Sequence, residues 1–149
     1  MDNLTPEERS AVMKKVRSND TKPEVFLRKS LFRLGYRYGL HPKKIQGKPD
    51  IWLKKYKTAI FVNGCFWHRH EGCKMNRLPK SNIEFWQDKF QKNIDRDKKV
   101  KSALLKRQVK CLVVWECTVK KMMKDEEYKK ECLIKIENFI HDSNLYLEL

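Results

Sequence analysis

Residues 65–73, Cys65-Phe66-Trp67-His68-Arg69-His70-Glu71-Gly72-Cys73, put two thiols and two imidazoles into one short segment. The pattern is C-x4-H-x2-C, and Cys117, at the end of a later predicted strand, adds a third thiol. Three Cys and one His form a common tetrahedral zinc set, because a borderline-soft cation suits sulfur and nitrogen donors. Gly72 lets the chain fold round an ion. The alternative is a pair of buried free cysteines beside unrelated histidines. His68 and His70 have the same parity in an extended segment, so spacing alone does not decide which would bind. Cys111 and Cys132 fall on apolar strand and helix faces and read as core residues. Five cysteines is an odd number, and MDNLTPEERS is acidic and polar, unlike a signal peptide, so no disulfide framework is expected.

Carboxylates form the second group. Asp50, in Gly47-Lys48-Pro49-Asp50, stands at the start of a predicted strand beside a tight turn, where a hard cation such as Mg²⁺ could use its oxygens. Pro-Asp is equally a turn dipeptide. Asp97 lies three residues after Ile94 and seven before Leu104, on the apolar stripe of a predicted helix. A carboxylate there needs a partner, because an unpaired buried charge is costly. Glu24 is accounted for by a capping box with Thr21.

These groups need elements to position them. Thr5-Pro6-Glu7-Glu8 starts a helix that runs to about Arg17, and Thr21-Lys22-Pro23-Glu24 starts a second, with Leu27, Leu31 and Leu34 on one face and Gly35 as its stop. Tyr36–Leu40, Asp50–Leu53 and Thr58–Asn63 are strand candidates, the last two joined by a hairpin through residues 54–57. A long helix is expected from about Asn82 to Gln108, with Ile83, Trp86, Phe90, Ile94 and Leu104 or Leu105 forming its stripe. A buried strand follows at Cys111–Trp115, then an amphipathic helix at Asp125–His141 through Cys132, Ile136 and Phe139. The result is an α/β domain with a mixed sheet covered on both faces.

Charge narrows the function. Lys plus Arg number 34 against 19 Asp plus Glu, a formal net of +15. Residues 9–48 carry 12 basic and 2 acidic side chains, and residues 74–110 carry 12 and 4, whereas residues 122–149 carry 4 and 7. Two basic blocks beside an acidic tail favour a polyanion-binding face. No apolar run approaches the ~18 residues of a membrane span, and neither basic block has the apolar face of an interfacial helix.

In this order, Gly47-x-Pro49-Asp50, Phe61-Val62-x-Gly64-Cys65-Phe66-Trp67-His68-x-His70, Glu84-Phe85-Trp86, Lys92-Asn93-x-x-Arg96-Asp97 and Val114-Trp115-Glu116-Cys117 resemble the very-short-patch repair (Vsr) mismatch endonucleases of bacteria, from about Ser10 to Thr118. The resemblance implies a restriction-endonuclease-like αβββαβ core with a mixed central sheet, an added N-terminal helix and a structural zinc site. It implies one domain over 1–149: a DNA-contacting helix at 1–20, a catalytic core at 21–118 and a C-terminal helix at 119–149. The implied reaction is hydrolysis of one phosphodiester 5′ of the T in a T:G mismatch left by deamination of 5-methylcytosine. By position, Asp50 and the backbone carbonyl of Val62 would hold Mg²⁺, His68 would transfer a proton, and Glu24 and Asp97 would support it. Asn63 stands where some members have a second histidine. Cys65, His70, Cys73 and Cys117 would hold zinc. Phe66, Trp67 and Trp86 would form an aromatic wedge in the opened base stack, and Met13 would insert from the minor-groove side, although Trp86 also fits the helix core.

The implied partners are double-stranded DNA carrying a T:G mismatch, mismatch-repair proteins and a cytosine-5 methyltransferase. The implied setting is a monomer in the bacterial cytoplasm, at the nucleoid. The competing readings are a restriction-type endonuclease of the same fold and a non-catalytic, zinc-stabilised DNA-binding module.

Overall fold

The structure, a computed structural model, describes residues 20–149. The expected helix over 5–17, and Met13 with it, lie outside the described residues. The first described helix, α1 (Lys22–Arg33), begins as its sequence predicts: the Thr21 hydroxyl accepts from the Glu24 N–H, and Pro23 occupies the first turn. It ends at Gly35 (φ +99°), where the Gly35 N–H reaches the Phe32 carbonyl and the Tyr36 N–H reaches the Leu31 carbonyl. These two bonds satisfy carbonyls that a helix end otherwise leaves open.

β1 (Ile51–Leu53) and β2 (Thr58–Asn63) form the expected antiparallel hairpin, turned by a 3₁₀ segment, Lys54–Tyr56, and by Lys57 at φ +47°. The strand expected at Tyr36–Leu40 is reduced to one bridge, Gly39 to Trp52. It goes no further because His41 turns the chain with a positive φ and Pro42 has no N–H to donate. The long helix α2 spans Ile83–Lys106 and leads into β3 (Lys110–Trp115), parallel to β2.

The amphipathic helix expected at Asp125–His141 is present as α4 (Glu126–His141), whereas the wider 119–149 span given as a C-terminal helix also takes in most of α3 (Glu116–Lys124) and the strand β4 (Tyr146–Glu148). Asp125, in extended backbone, separates the helices, and its carboxylate caps α4 by accepting from the Tyr128 N–H at 3.1 Å. β4 extends the sheet on the far side of β3, in the order β1-β2-β3-β4. Where α4 ends, buried Lys110 donates to the backbone carbonyls of Asp142 and Asn144 and fixes the turn into β4.

Strand alternation divides the core between the two faces of the sheet. Ile51, Leu53, Ile60, Leu112 and Val114 face α1, α3 and α4, meeting Leu27, Leu31, Val119, Met122, Ile136 and Phe139. Ala59, Cys111, Val113 and Trp115 face the other way, where α2 contributes Leu104. The architecture is a four-stranded, open, mixed sheet with helices on both faces. β2 and β3 run in register from Thr58 opposite Lys110 to Asn63 opposite Trp115, so their carboxyl ends share one rim. Open α/β sheets place their sites at that rim.

Candidate active site and Cys/His cluster

The loop leaving β2 winds back on itself. The His68 N–H bonds the Gly64 carbonyl and the His70 N–H bonds the Cys65 carbonyl, both at 3.0 Å. α2 holds this loop from outside with two residues one turn apart. Asn93 Nδ2 donates to the Trp67 carbonyl at 3.0 Å, and Asp97 Oδ2 lies 2.6 Å from His68 Nδ1. Asp97 is 39% exposed, not buried as the apolar stripe implied, and its partner is His68. A carboxylate on Nδ1 fixes the proton there and leaves Nε2 for chemistry.

Asp50 lies at the head of β1, placed by Gly47 (φ +79°). A side chain at position 47 would run into Val100 of α2, with Cγ2 at 3.0 Å and Phe61 Cε1 at 3.3 Å. Only glycine allows the loop this close to β2 and α2. Asp50 Oδ2 then accepts the Val62 N–H at 2.7 Å, so the contact between these two residues uses the Val62 amide. Burial raises the Asp50 pKa to about 6, and the nearby Glu24 charge adds to the rise, while the Val62 N–H, His41 and His68 oppose it.

Glu24 does more than cap a helix. Its carboxylate does not return to the Thr21 N–H as a capping box requires. It is 2% exposed, accepts the Asp20 N–H at 3.0 Å and has Arg28 Nη1 at 3.6 Å. His41 Nε2 is 2.7 Å from Glu24 Oε1 and 3.7 Å from Asp50 Oδ1. Despite the short distance, neither Glu24 Oε1 nor His41 Nε2 has a well-directed hydrogen bond. His41 has no motif spacing to mark it; a histidine before a proline in a loop gives no periodic signal. Asp20, Glu24 and His41 bring one ligand atom each within 4.8 Å of one another, so oxygen and nitrogen donors that could hold a cation gather beside Asp50. The Asn63 side chain makes no hydrogen bond within this cluster.

Cys65, His70, Cys73 and Cys117 converge, their ligand atoms all within 4.8 Å of one another. His70 Nδ1 lies 3.6 Å from Cys65 Sγ and 3.4 Å from Cys117 Sγ. Zn–S near 2.3 Å and Zn–N near 2.0 Å at a tetrahedral angle put S and N about 3.5 Å apart, so the set fits zinc. Cys117 is reached differently from expectation: it lies in the first turn of α3, not at a strand end, and its N–H bonds Cys65 Sγ at 3.4 Å. Burial pushes the Cys65 thiol up to about 12, so a metal would be needed to hold it as a thiolate. Of the two histidines, His70 joins the thiols and His68 faces Asp97.

Phe66, Trp67 and Trp86 are half-buried and packed together, with Phe90 of α2 beneath them. The Phe66 ring meets Trp67, Trp86 and Phe90 edge-on at 5.1–5.5 Å. Arg69 covers Phe90 at 4.1 Å, and Lys89 lies over Trp67 at 5.4 Å. Phe85 (60% exposed) packs edge-on against Trp86 at 5.4 Å and extends this apolar ridge outward, and Ile83, expected on the helix's apolar stripe, is 52% exposed. Among the described residues no helix is long and apolar enough to cross a membrane.

Comparison with known proteins agrees with this geometry. A family profile for DNA mismatch endonuclease Vsr matches residues 1–74. A type II nicking enzyme of Neisseria meningitidis is 50% identical over 119 residues, covering 80% of this chain and 84% of that protein. One from Xanthomonas oryzae pv. oryzae is 42% identical, covering 78% and 85%. The DNA mismatch endonuclease Vsr of Escherichia coli is 34% identical, covering 75% and 71%.

Proposed function

The chain belongs to the Vsr family of DNA mismatch endonucleases, and on that footing we propose that it nicks one strand of duplex DNA 5′ of the T in a T:G mismatch, initiating very-short-patch repair. The observation that carries the reading is the His68–Asp97 pair, 2.6 Å apart, at the same rim as the buried carboxylate of Glu24 and the half-buried one of Asp50. A module that only bound DNA would gain nothing from carboxylates near phosphate, which they repel.

In this reading Asp97 holds the His68 ring and its tautomer, and His68 Nε2 moves a proton at an oxygen of the scissile phosphate. Asp50 and the Val62 carbonyl hold Mg²⁺, which when bound supplies charge stabilisation to the phosphate oxygens. Glu24 supports Asp50, and Asn63 lines the phosphate from the end of β2. Cys65, His70, Cys73 and Cys117 hold a structural zinc that fixes the loop presenting His68. Phe66, Trp67 and Trp86 enter the base stack, with Met13 opposite. Unstacking a base step costs a few kcal/mol, and less at a mismatch, so deformability contributes to selection. The basic blocks supply salt-sensitive attraction to the backbone. The core is restriction-endonuclease-like, and the enzyme works as a cytoplasmic monomer alongside mismatch-repair proteins and a cytosine-5 methyltransferase.

The test is a panel of duplexes, one mismatch each, assayed with and without Mg²⁺. Nicking confined to T:G and dependent on Mg²⁺ is the expected result. Equal cleavage of T:G and fully paired DNA would defeat the mismatch reading and leave a site-specific nicking enzyme, which the naming of the two relatives as type II nicking enzymes favours.

A further inference from the structure

His41 stands between two acids and has no role so far. Its Nε2 lies 2.7 Å from Glu24 Oε1 and 3.7 Å from Asp50 Oδ1, and among the described residues no other side chain forms an ion pair with both. Glu24 is fixed from behind by the Asp20 N–H and by Arg28, and Asp50 by the Val62 N–H. Among the described residues an imidazole is what stands in the gap between the two acids. Nε2 makes no well-directed bond to Glu24 despite its closeness. The backbone supports a dedicated placement, because His41 is held at φ +47° immediately before Pro42. Strained backbone of this kind clusters at functional sites.

We propose that His41 is a positioning residue of the active site: set between Glu24 and Asp50, its imidazole fixes the spacing of the two carboxylates and thereby sets the affinity for the divalent cation. The inference rests on the metal-dependent nuclease reading above. Two neighbouring carboxylates repel, and without the imidazole between them they splay apart, widening the oxygen cage. Outer groups that orient metal ligands change metal affinity by about 10–100-fold when removed.

The experiment uses Mn²⁺ as the probe, with free ion measured by electron paramagnetic resonance on the full chain, so that binding is read without turnover. His41→Asn is the loss variant, because asparagine tolerates a left-handed backbone but is too short to reach both acids. His41→Gln, which carries an N–H on a longer arm, is the rescue variant. Expected are a loss of Mn²⁺ affinity of about tenfold or more in His41→Asn and recovery of most of it in His41→Gln. The Mg²⁺ concentration for half-maximal nicking should rise in parallel, with the rate at saturating Mg²⁺ little changed. Wild-type Mn²⁺ affinity in His41→Asn, with affinity lost in Asp50→Asn, would overturn this inference alone. Equal loss in both His41 variants would also overturn it, since a merely structural role predicts that. Mn²⁺ affinity unmoved by Asp50→Asn would overturn the metal assignment and this inference together.

Discussion

The indole of Trp115 lies flat on the imidazole of His70, ring centroids 4.2 Å apart and planes 7° from parallel. Trp115 is the last residue of β3, and its Nε1–H donates to Glu148 of β4 at 2.6 Å. The Cys/His cluster thus leans on the far strand through one ring.

Trp115→Ala should lower stability by about 3–5 kcal/mol, the range for deleting a large buried aromatic. Trp115→Phe, which keeps a ring on His70 and loses one hydrogen bond, should cost about 1 kcal/mol. Urea unfolding followed alongside zinc release to a colorimetric chelator separates the two: the alanine variant should lose metal early, and equal retention in both would refute the coupling.

Asp97→Asn should lower the nicking rate by about 10²-fold or more, because an amide no longer selects the Nδ1–H tautomer of His68. His68→Ala should do the same. Both groups are partly exposed, so melting temperatures should stay close to wild type. Single-turnover rates on a T:G duplex decide it, and an unimpaired Asp97→Asn enzyme would remove Asp97 from the mechanism.

The raised Asp50 carboxyl makes a pH prediction. Its native pKa, about 6, exceeds the ordinary 3.8, so the native state binds the proton more tightly than the unfolded chain does. Asp50 is therefore least costly below about pH 4, and it lowers stability progressively as pH rises through about 6. Asp50→Asn removes that cost. It should gain about 3 kcal/mol at pH 7.5, a gain that fades on acidification toward pH 4, while nicking is abolished. A stability difference that does not change with pH would show that Asp50 is not perturbed.

Gly47→Ala should destabilise by about 1–3 kcal/mol, because the added methyl meets Val100 and the backbone is left-handed. Val100→Ala in the same chain should recover part of the loss. Strictly additive effects in this double-mutant cycle would deny the contact.

Much of this site was legible before any coordinates. Asp97 was singled out on an apolar stripe, where it meets His68 although its side chain is 39% exposed, and the Cys/His spacing announced a cluster. Thr21 and Gly35 marked both ends of α1. What escaped notice had no local signature. His41 acts through sequence-distant acids and occupies a loop without period. The start of α4 at Asp125 was legible, whereas α3, which begins directly after β3 at Glu116, was not. β4 is three residues long, too short to alternate visibly, and exists because β3 offers it an edge. Glu24 misled through sufficiency: its capping spacing is real, and only tertiary packing reveals that the carboxylate points elsewhere.

Because β2 and β3 run in register, the candidate site leaves the sheet at one rim, and among the described residues the opposite rim carries connections: the Lys54–Lys57 hairpin, the Arg107–Val109 turn and the Asp142–Leu145 turn. Lys55 and Gln108 are exposed there, at the far end of the strands from Asp50 and His68. That makes the far rim the handle of the molecule. A fluorophore, an affinity tag or a surface tether placed at either position can report on or immobilise the protein while the working rim stays open to a duplex.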